Sequence, residues 1–379
     1  LIDYDTLKLL WWIFIGVLLI GFAVTDGFDL GAGALLPFLG RSDAERGAIV
    51  NAIGPTWEGN QVWLITAGGA VFAAWPPVYA AAFSCLHVAL LLMLFTLFLR
   101  PVGFEYRNKV ADPRWRRVWD WGVFTAAVVP SLVFGVAFGN LMRGLPFHFD
   151  AAMHSHYDGS FSGLLNPFAL LVGVVSLSML VMHGAVFLSS CTEGEIQLRA
   201  ERAARAAGGV FIISFAAAGI WLVSGIAGFH IEAMPTADAV PNILAKTVTV
   251  VRGDWMDNYG VHPWMLLAPA VAYTASLMVI YTDIRRRPVF VFLCGTAVQA
   301  GVILTAGFSL FPFIIPSSTD PASSLTVWDA TSSQETLTWM FWVTLVCLPV
   351  VLAYTAWMYR VMRGRVTARL MRRNGDTLY

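Results

Sequence analysis

The chain is written in long apolar stretches separated by shorter polar ones. Apolar runs fall at about 8–36, 58–75, 77–99, 118–141, 164–190, 205–227, 263–281, 289–312 and 336–361. Most reach the roughly 20 residues that a helix needs to cross a bilayer. The pattern predicts an all-α polytopic membrane protein with about nine transmembrane helices in bundles. The second run is short, and Pro76-Pro77 forces a tight turn into the third. No low-complexity tract, linker or soluble segment interrupts the series, so residues 1–379 read as one integral membrane domain.

Lysine and arginine give the predicted orientation. The polar segments after the first, third, fifth and seventh runs carry Arg41 and Arg46, then Arg100, Arg107, Lys109, Arg114, Arg116 and Arg117, then Arg199, Arg202 and Arg205, then Arg285 to Arg287. The tail adds Arg360, Arg363, Arg365, Arg369, Arg372 and Arg373, whereas the alternate segments hold only Lys8, Arg143, Lys246 and Arg252. The positive-inside rule puts the arginine-rich face in the cytoplasm. The N-terminus is then periplasmic, the C-terminus cytoplasmic and the number of spans odd. The first run is too long and too acidic for a signal peptide. Trp and Tyr at run ends, such as Trp11, Trp75, Trp121 and Tyr281, fit interfacial belts.

Composition agrees: 58% of residues are hydrophobic and 13% charged, with a mean hydropathy of +0.68, against about 25% charged in a soluble domain. The zero net charge names no partner, and nothing points to nucleic acid. Cys85, Cys191, Cys294 and Cys347 lie far apart without a C-x-x-C, which gives no support to a zinc site, thioredoxin-like chemistry or c-type haem attachment.

The chemistry concentrates at a few polar interruptions. Within Gly21–Gly33 (GFAVTDGFDLGAG), Asp26 and Asp29 sit three residues apart, on one helix face. An ionised Asp near mid-membrane costs about 2.5–3.5 kcal/mol and usually faces a protein interior or a water-filled cavity. Gly21, Gly27, Gly31 and Gly33 let another helix backbone approach. The second run opens with Trp57-Glu58-Gly59-Asn60-Gln61, the third ends at Arg100-Pro101, and the fourth begins with Trp119-Asp120-Trp121. By the predicted alternation all these residues lie toward the arginine-rich face. Asp26, Asp29, Glu58 and Asp120 are therefore expected to converge with Arg100, in the manner of intramembrane proton relays. The plainer reading makes Glu58 and Asp120 solvated helix starts and Arg100 an anchor.

Of seven histidines only His87 and His183 lie inside apolar runs, so no repeated intramembrane pair is offered to a low-spin haem. His148, His154 and His156 cluster in an outer segment, where a solvated loop is the simpler reading than a metal site. Asn140, Asn166, Gln299 and Thr305 read as interhelical hydrogen bonding.

The segments GFAVTDGFDLGAG, WEGNQVWLITAGGAVFAAWPPVYAAAFS, RPVGFEYRNK, WDWGVF, GVAFGN, LLNPFALLVGV, GFSLFPFIIPSS and WDATSSQ resemble subunit II of the cytochrome bd-type quinol oxidases, over the whole chain. The resemblance implies a heterodimer with subunit I in a bacterial cytoplasmic (inner) membrane. The complex would oxidise ubiquinol or menaquinol and reduce dioxygen to water. Haem b, a second high-spin haem b and haem d would be held by subunit I. Subunit II would be haem-free, similar in fold to subunit I, and needed to assemble the haem d site. It also implies a proton path from the cytoplasm, with Asp29, Glu58, Arg100 and Asp120 at the matching positions; Glu58 stands where relatives often carry Asp. On this reading Asp29 and Glu58 relay protons, Asp26 and Asp120 hydrate the mouth of the path, and Arg100 sets the local potential. Membrane lipids are expected companions; a structural quinone and a small single-helix accessory subunit stay open. The alternatives are a stand-alone proton-coupled transporter, for which broken helices in symmetric halves are not seen, and a purely structural subunit.

Overall fold

The structure, a computed structural model, describes residues 2–150, 152–234, 242–361 and 364. The chain begins with α1 (Tyr4–Leu39), capped where the Asp3 side chain accepts the Thr6 amide. A short α2 (Asp43–Ile53) follows, started by a reciprocal capping box between Ser42 and Glu45. Next come α3 (Trp57–Ala74), α4 (Pro76–Cys85), α5 (His87–Leu97), α6 (Leu99–Tyr106) and α7 (Pro113–Arg143). A ribbon of β1 (Phe147–Phe149) and β2 (Ser155–Tyr157) leads through α8 (Phe161–Leu164) to the long pair α9 (Pro167–Cys191) and α10 (Gly194–Gly225). A second ribbon, β3 (Ala227–Ala233) with β4 (Thr247–Arg252), precedes α11 (Asp257–Val261), α12 (Leu267–Tyr281) and α13 (Pro288–Leu310). The third ribbon is β5 (Phe313–Ile315) with β6 (Leu325–Thr326), and α14 (Gln334–Val361) closes the described chain.

Among the described residues, eight helical stretches are long and apolar enough to cross a membrane, where nine were expected. The difference is α3, whose first turn carries Glu58, Asn60 and Gln61. The expected span 77–99 is an interrupted rod, α4 to α6, that continues to Tyr106. The sixth span starts at Gly194 rather than 205, because a helix does not end where its apolar stretch ends; Arg199, Arg202 and Arg205 ride on its first turns. The ribbons in the three outer segments are the departure from an all-helical chain.

α1 is the hub, touching α2, α3, α7, α9, α13 and α14. Its contact with α9 is backbone against backbone. A Cβ on Gly31 would collide with the Leu180 carbonyl, and one on Gly184 with the backbone of Gly31 and Ala32. The loops sort to two ends. At one, Arg199 pairs with Glu45 at 2.7 Å, Arg107 with Asp43 at 2.8 Å, and Arg285 with Glu201 at 2.6 Å. These bonds gather the loops after the first, third, fifth and seventh predicted spans. Of the tail arginines assigned to this face, Arg363, Arg365, Arg369, Arg372 and Arg373 lie outside the described residues. At the other end a cap forms: the Leu145 amide donates to Pro316 O, Ser332 N to Ala74 O, and buried Lys246 pairs with Asp329 at 2.7 Å. Tyr4 joins this cap through Ser332 O, whereas Tyr359, half-buried near the end of α14, bonds Asn60.

Candidate functional site: a buried acid pair on one guanidinium

Asp26 and Asp29 face the interior, each 1% exposed, and Arg100 enters opposite them from the first turn of α6, 3% exposed. Arg100 Nη1 lies 2.7 Å from Asp26 Oδ1, and Nη2 lies 3.5 Å from Asp29 Oδ2. The guanidinium stacks 5.4 Å from the centre of the Trp57 ring, a cation–π contact from the start of α3. Asn60 Nδ2 donates to Asp29 Oδ2 at 2.7 Å, and the Tyr359 hydroxyl donates to Asn60 Oδ1 at 2.6 Å. A continuous polar chain thus joins α6, α1, α3 and α14 in an apolar bundle. α9 holds the acidic turn of α1 in place: His183 Nε2 donates to Val24 O at 3.0 Å, just above the Gly31–Gly184 contact.

Two features decide what this arrangement can do. Two carboxylates share one guanidinium, so the group can hold a proton without losing its ion pair. The Arg100 contacts are close but poorly aligned: Asp26 Oδ1, Asp29 Oδ1 and both Arg100 Nη atoms lack an aligned hydrogen-bond partner among the described residues. Buried polar atoms of this kind are the usual seats of ordered water, and water beside an acid is what proton transfer requires.

The other two predicted acids do not join the group. Glu58 is exposed, while Asn60, two residues on, is 1% exposed and bonded to Asp29. On a helix, residues two apart point to nearly opposite sides; once Asn60 faces Asp29, Glu58 faces outward. Asp120, 1% exposed, belongs to a second knot nearer the arginine-rich end. Its Oδ1 takes Arg107 Nε at 2.6 Å and its Oδ2 takes Arg46 Nη1 at 3.1 Å. Arg107 also reaches Asp43 at 2.8 Å, and Arg116 completes the knot on Asp43. With both oxygens occupied by guanidinium groups, Asp120 ties α2 and α6 to α7 instead of hydrating a mouth.

Sequence reading missed Asn60, Trp57 and Tyr359 as site residues, and Arg46, Arg107 and Asp43 as the knot. Asn60 stood in the motif that marked Glu58, and Arg107 was counted only as a loop charge. His183 is taken up by packing inside the bundle. Its Nε2 is spent on Val24 O, its ring is flanked by Phe28 and Phe292, and its Nδ1 is closed off by Gly295. His87 is exposed at the start of α5.

The sequence model of the family described as cytochrome bd terminal oxidase subunit II matches residues 7–362. The chain is 50% identical over 379 residues to cytochrome bd-I ubiquinol oxidase subunit 2 of Escherichia coli (strain K12), covering 100% of both. It is 48% identical to the probable cytochrome oxidase subunit 2 of Haemophilus influenzae, again covering 100% of both. It is 32% identical to cytochrome bd ubiquinol oxidase subunit 2 of Bacillus subtilis, covering 94% of this chain and 96% of that one. The fold is similar to a chain in the structure of bd oxidase from Geobacillus thermodenitrificans, with a TM-score of 0.70, 14% identity, and coverage of 94% of this chain and 98% of that one. The chain belongs to the subunit II family of the cytochrome bd terminal oxidases.

Proposed function

We propose that this chain is the haem-free half of a two-subunit quinol:oxygen oxidoreductase, and that its buried Asp26–Arg100–Asp29 group carries protons from the arginine-rich, cytoplasmic side toward the partner. Family membership makes it a multi-pass inner-membrane subunit of a quinol oxidase complex with a subunit I partner. The finer assignments are part of the proposal: ubiquinol or menaquinol as reductant, haem b and haem d in subunit I, and support of the haem d site by this chain. The oxygen chemistry then belongs to the partner's haems, and this chain's residues handle protons.

One observation carries the reading: two fully buried acids on a single cation, joined by Asn60 and Tyr359 into a polar chain. Desolvating such a group is costly in lipid, and a merely structural contact needs only one acid. Asp29 and Asp26 hold and pass the proton, with Arg100 and Asn60 keeping both carboxylates oriented. Asp120, with Arg46 and Arg107, fixes the loops that frame the mouth. Glu58 serves as an acid on the outer surface of α3, beside the buried chain. Four protons are consumed for each dioxygen reduced to water. Drawing them from the cytoplasm while quinol releases its own outside charges the membrane.

A cavity of about 320 Å³ between α1, α7, α9, α10, α12 and α13 is lined by Phe22, Phe134, Met179, Phe215 and Tyr273 among others. Its apolar walls suit an isoprenoid tail, which supports reading it as the seat of a structural quinone.

The test is Asp29→Asn and Asp26→Asn in the assembled complex, with haem content and oxygen consumption measured together. Retained haem with turnover slowed at least about tenfold, some 1.4 kcal/mol of barrier or more, supports the relay. Normal turnover in both variants removes these acids from the path and leaves a structural subunit.

A further inference from the structure

The cap end of the bundle carries a group that proton transfer does not use. His230 lies in β3, opposite Thr249 of β4. Asp254 and Asp257 lie in the turn that follows β4, the second of them at the start of α11. His230 Nδ1 is 3.2 Å from Asp254 Oδ2 and 3.9 Å from Asp257 Oδ2. One ligand atom from each of the three lies within 4.8 Å of the other two. Bonds of about 2.0–2.2 Å to a tetrahedral zinc ion set neighbouring donors roughly 3.3–3.5 Å apart. The His230–Asp254 edge is close to that length, and the His230–Asp257 edge is somewhat longer at 3.9 Å.

We propose that His230, Asp254 and Asp257 bind a divalent transition-metal ion of the zinc type, with water completing the coordination. One imidazole and two carboxylates are borderline-to-hard donors, and three protein ligands leave an open position for water. The backbone holds the donors in place before any ion arrives. Gly228 packs under the turn, where a Cβ would lie 2.6 Å from Asp254 Cβ, and Gly253 turns the chain at φ +90. Trp255 is 2% exposed and its Nε1 donates to Met142 O at 3.0 Å, anchoring the residue next to Asp254. His230 stays exposed enough for an ion to reach it, while Asp254 is largely covered.

Charge favours the same conclusion. Among the described residues neither Asp254 nor Asp257 has a lysine or arginine ion-pair partner. A bound cation would supply the missing positive charge. The three histidines of the β1–β2 ribbon are arranged differently: His148 is paired with Asp158, and His154 and His156 with Asp150. The ion would clamp the β3–β4 ribbon to the turn that seats Trp255 against the end of α7.

The test uses the purified two-subunit complex, dialysed to equilibrium across a buffered zinc series, with zinc counted per haem iron by mass spectrometry. Wild type is expected to bind one zinc more than His230→Ala or Asp254→Asn, each with an unchanged haem spectrum. Asp257→Asn should weaken that site by more than the about 10–100-fold typical of an outer-shell change. The triple replacement of His148, His154 and His156 by Ala should leave it intact. Asp257 is exposed, so Asp257→Asn decides the matter even where the other variants fail to assemble. Identical zinc isotherms for wild type and Asp257→Asn, or loss of the site only in the triple variant, would overturn the assignment.

Discussion

Replacing Arg100 by Gln removes the charge that faces both buried acids and keeps most of the side chain's length. Among the described residues Arg100 is the ion-pair partner of both Asp26 and Asp29. It is 3% exposed and the acids 1%, so solvent cannot substitute for it. Removing one partner of a buried ion pair typically costs about 3–5 kcal/mol. The Trp57 contact adds about 0.5–2 kcal/mol. The 2.7 Å contact with Asp26 is closer than the 3.5 Å one with Asp29, so Asp26 should hold the larger share of the coupling. Arg100→Gln alone should therefore lower the stability of the complex by at least about 3 kcal/mol. Adding Asp26→Asn should restore part of that loss, a coupling of about 1–3 kcal/mol in the double-mutant cycle. The assay is loss of haem absorbance from the purified complex on titration with SDS, for wild type, both single variants and the double. A coupling below about 0.5 kcal/mol, the range of independent sites, would refute the shared-cation argument.

Asn60→Leu cuts the bond to Asp29 and leaves Tyr359 without its acceptor. At about 1 kcal/mol per hydrogen bond, oxygen consumption per haem should fall roughly fivefold or more, whereas Tyr359→Phe, which spares the Asn60–Asp29 bond, should lose less. An oxygen electrode with reduced quinol compares the two. Gly184→Val drives a side chain into the backbone of Gly31 and Ala32, so overpacking of about 1–3 kcal/mol or more should cut the haem recovered with the complex. Gly209→Ala, with open space at its Cβ position, should leave haem recovery unchanged. On the outer ribbon, the His154 amide, then the His156 ring, hold the Asp150 carboxyl well below its usual range. A depressed acid contributes stability above its unfolded value, near 3.9, and loses it as pH falls through the folded one. Amide exchange at Ala152 and His154, corrected for intrinsic rates, should accelerate as the medium is acidified below that range, and in Asp150→Asn it should be fast without that dependence.

The spans were legible because hydropathy over 20 residues is a strong signal, and the arginine alternation because each loop repeats it. The two acids of α1 were legible because an i, i+3 pair in an apolar run has one plausible direction to face. What failed was rotation about a helix axis. At the start of α3 every residue from Glu58 to Gln61 departs from the apolar pattern, so no stripe shows which side faces α1. The packing chose Asn60, and Glu58 was turned outward. Asp120 failed for a different reason. Its partners Arg46 and Arg107 lie 74 and 13 residues away, and loop arginines look alike until the loops are folded together. Tyr359 was invisible because it reaches Asn60 from 299 residues away.

The central claim is that the buried acid pair conducts protons from the arginine-rich face. It is met most directly by time-resolved proton uptake, read with a pH dye on that side of the reconstituted complex during a single turnover with oxygen. The account predicts that Asp29→Asn, with an unchanged haem spectrum, slows uptake at least about tenfold. Uptake at the wild-type rate in both Asp29→Asn and Asp26→Asn would contradict it.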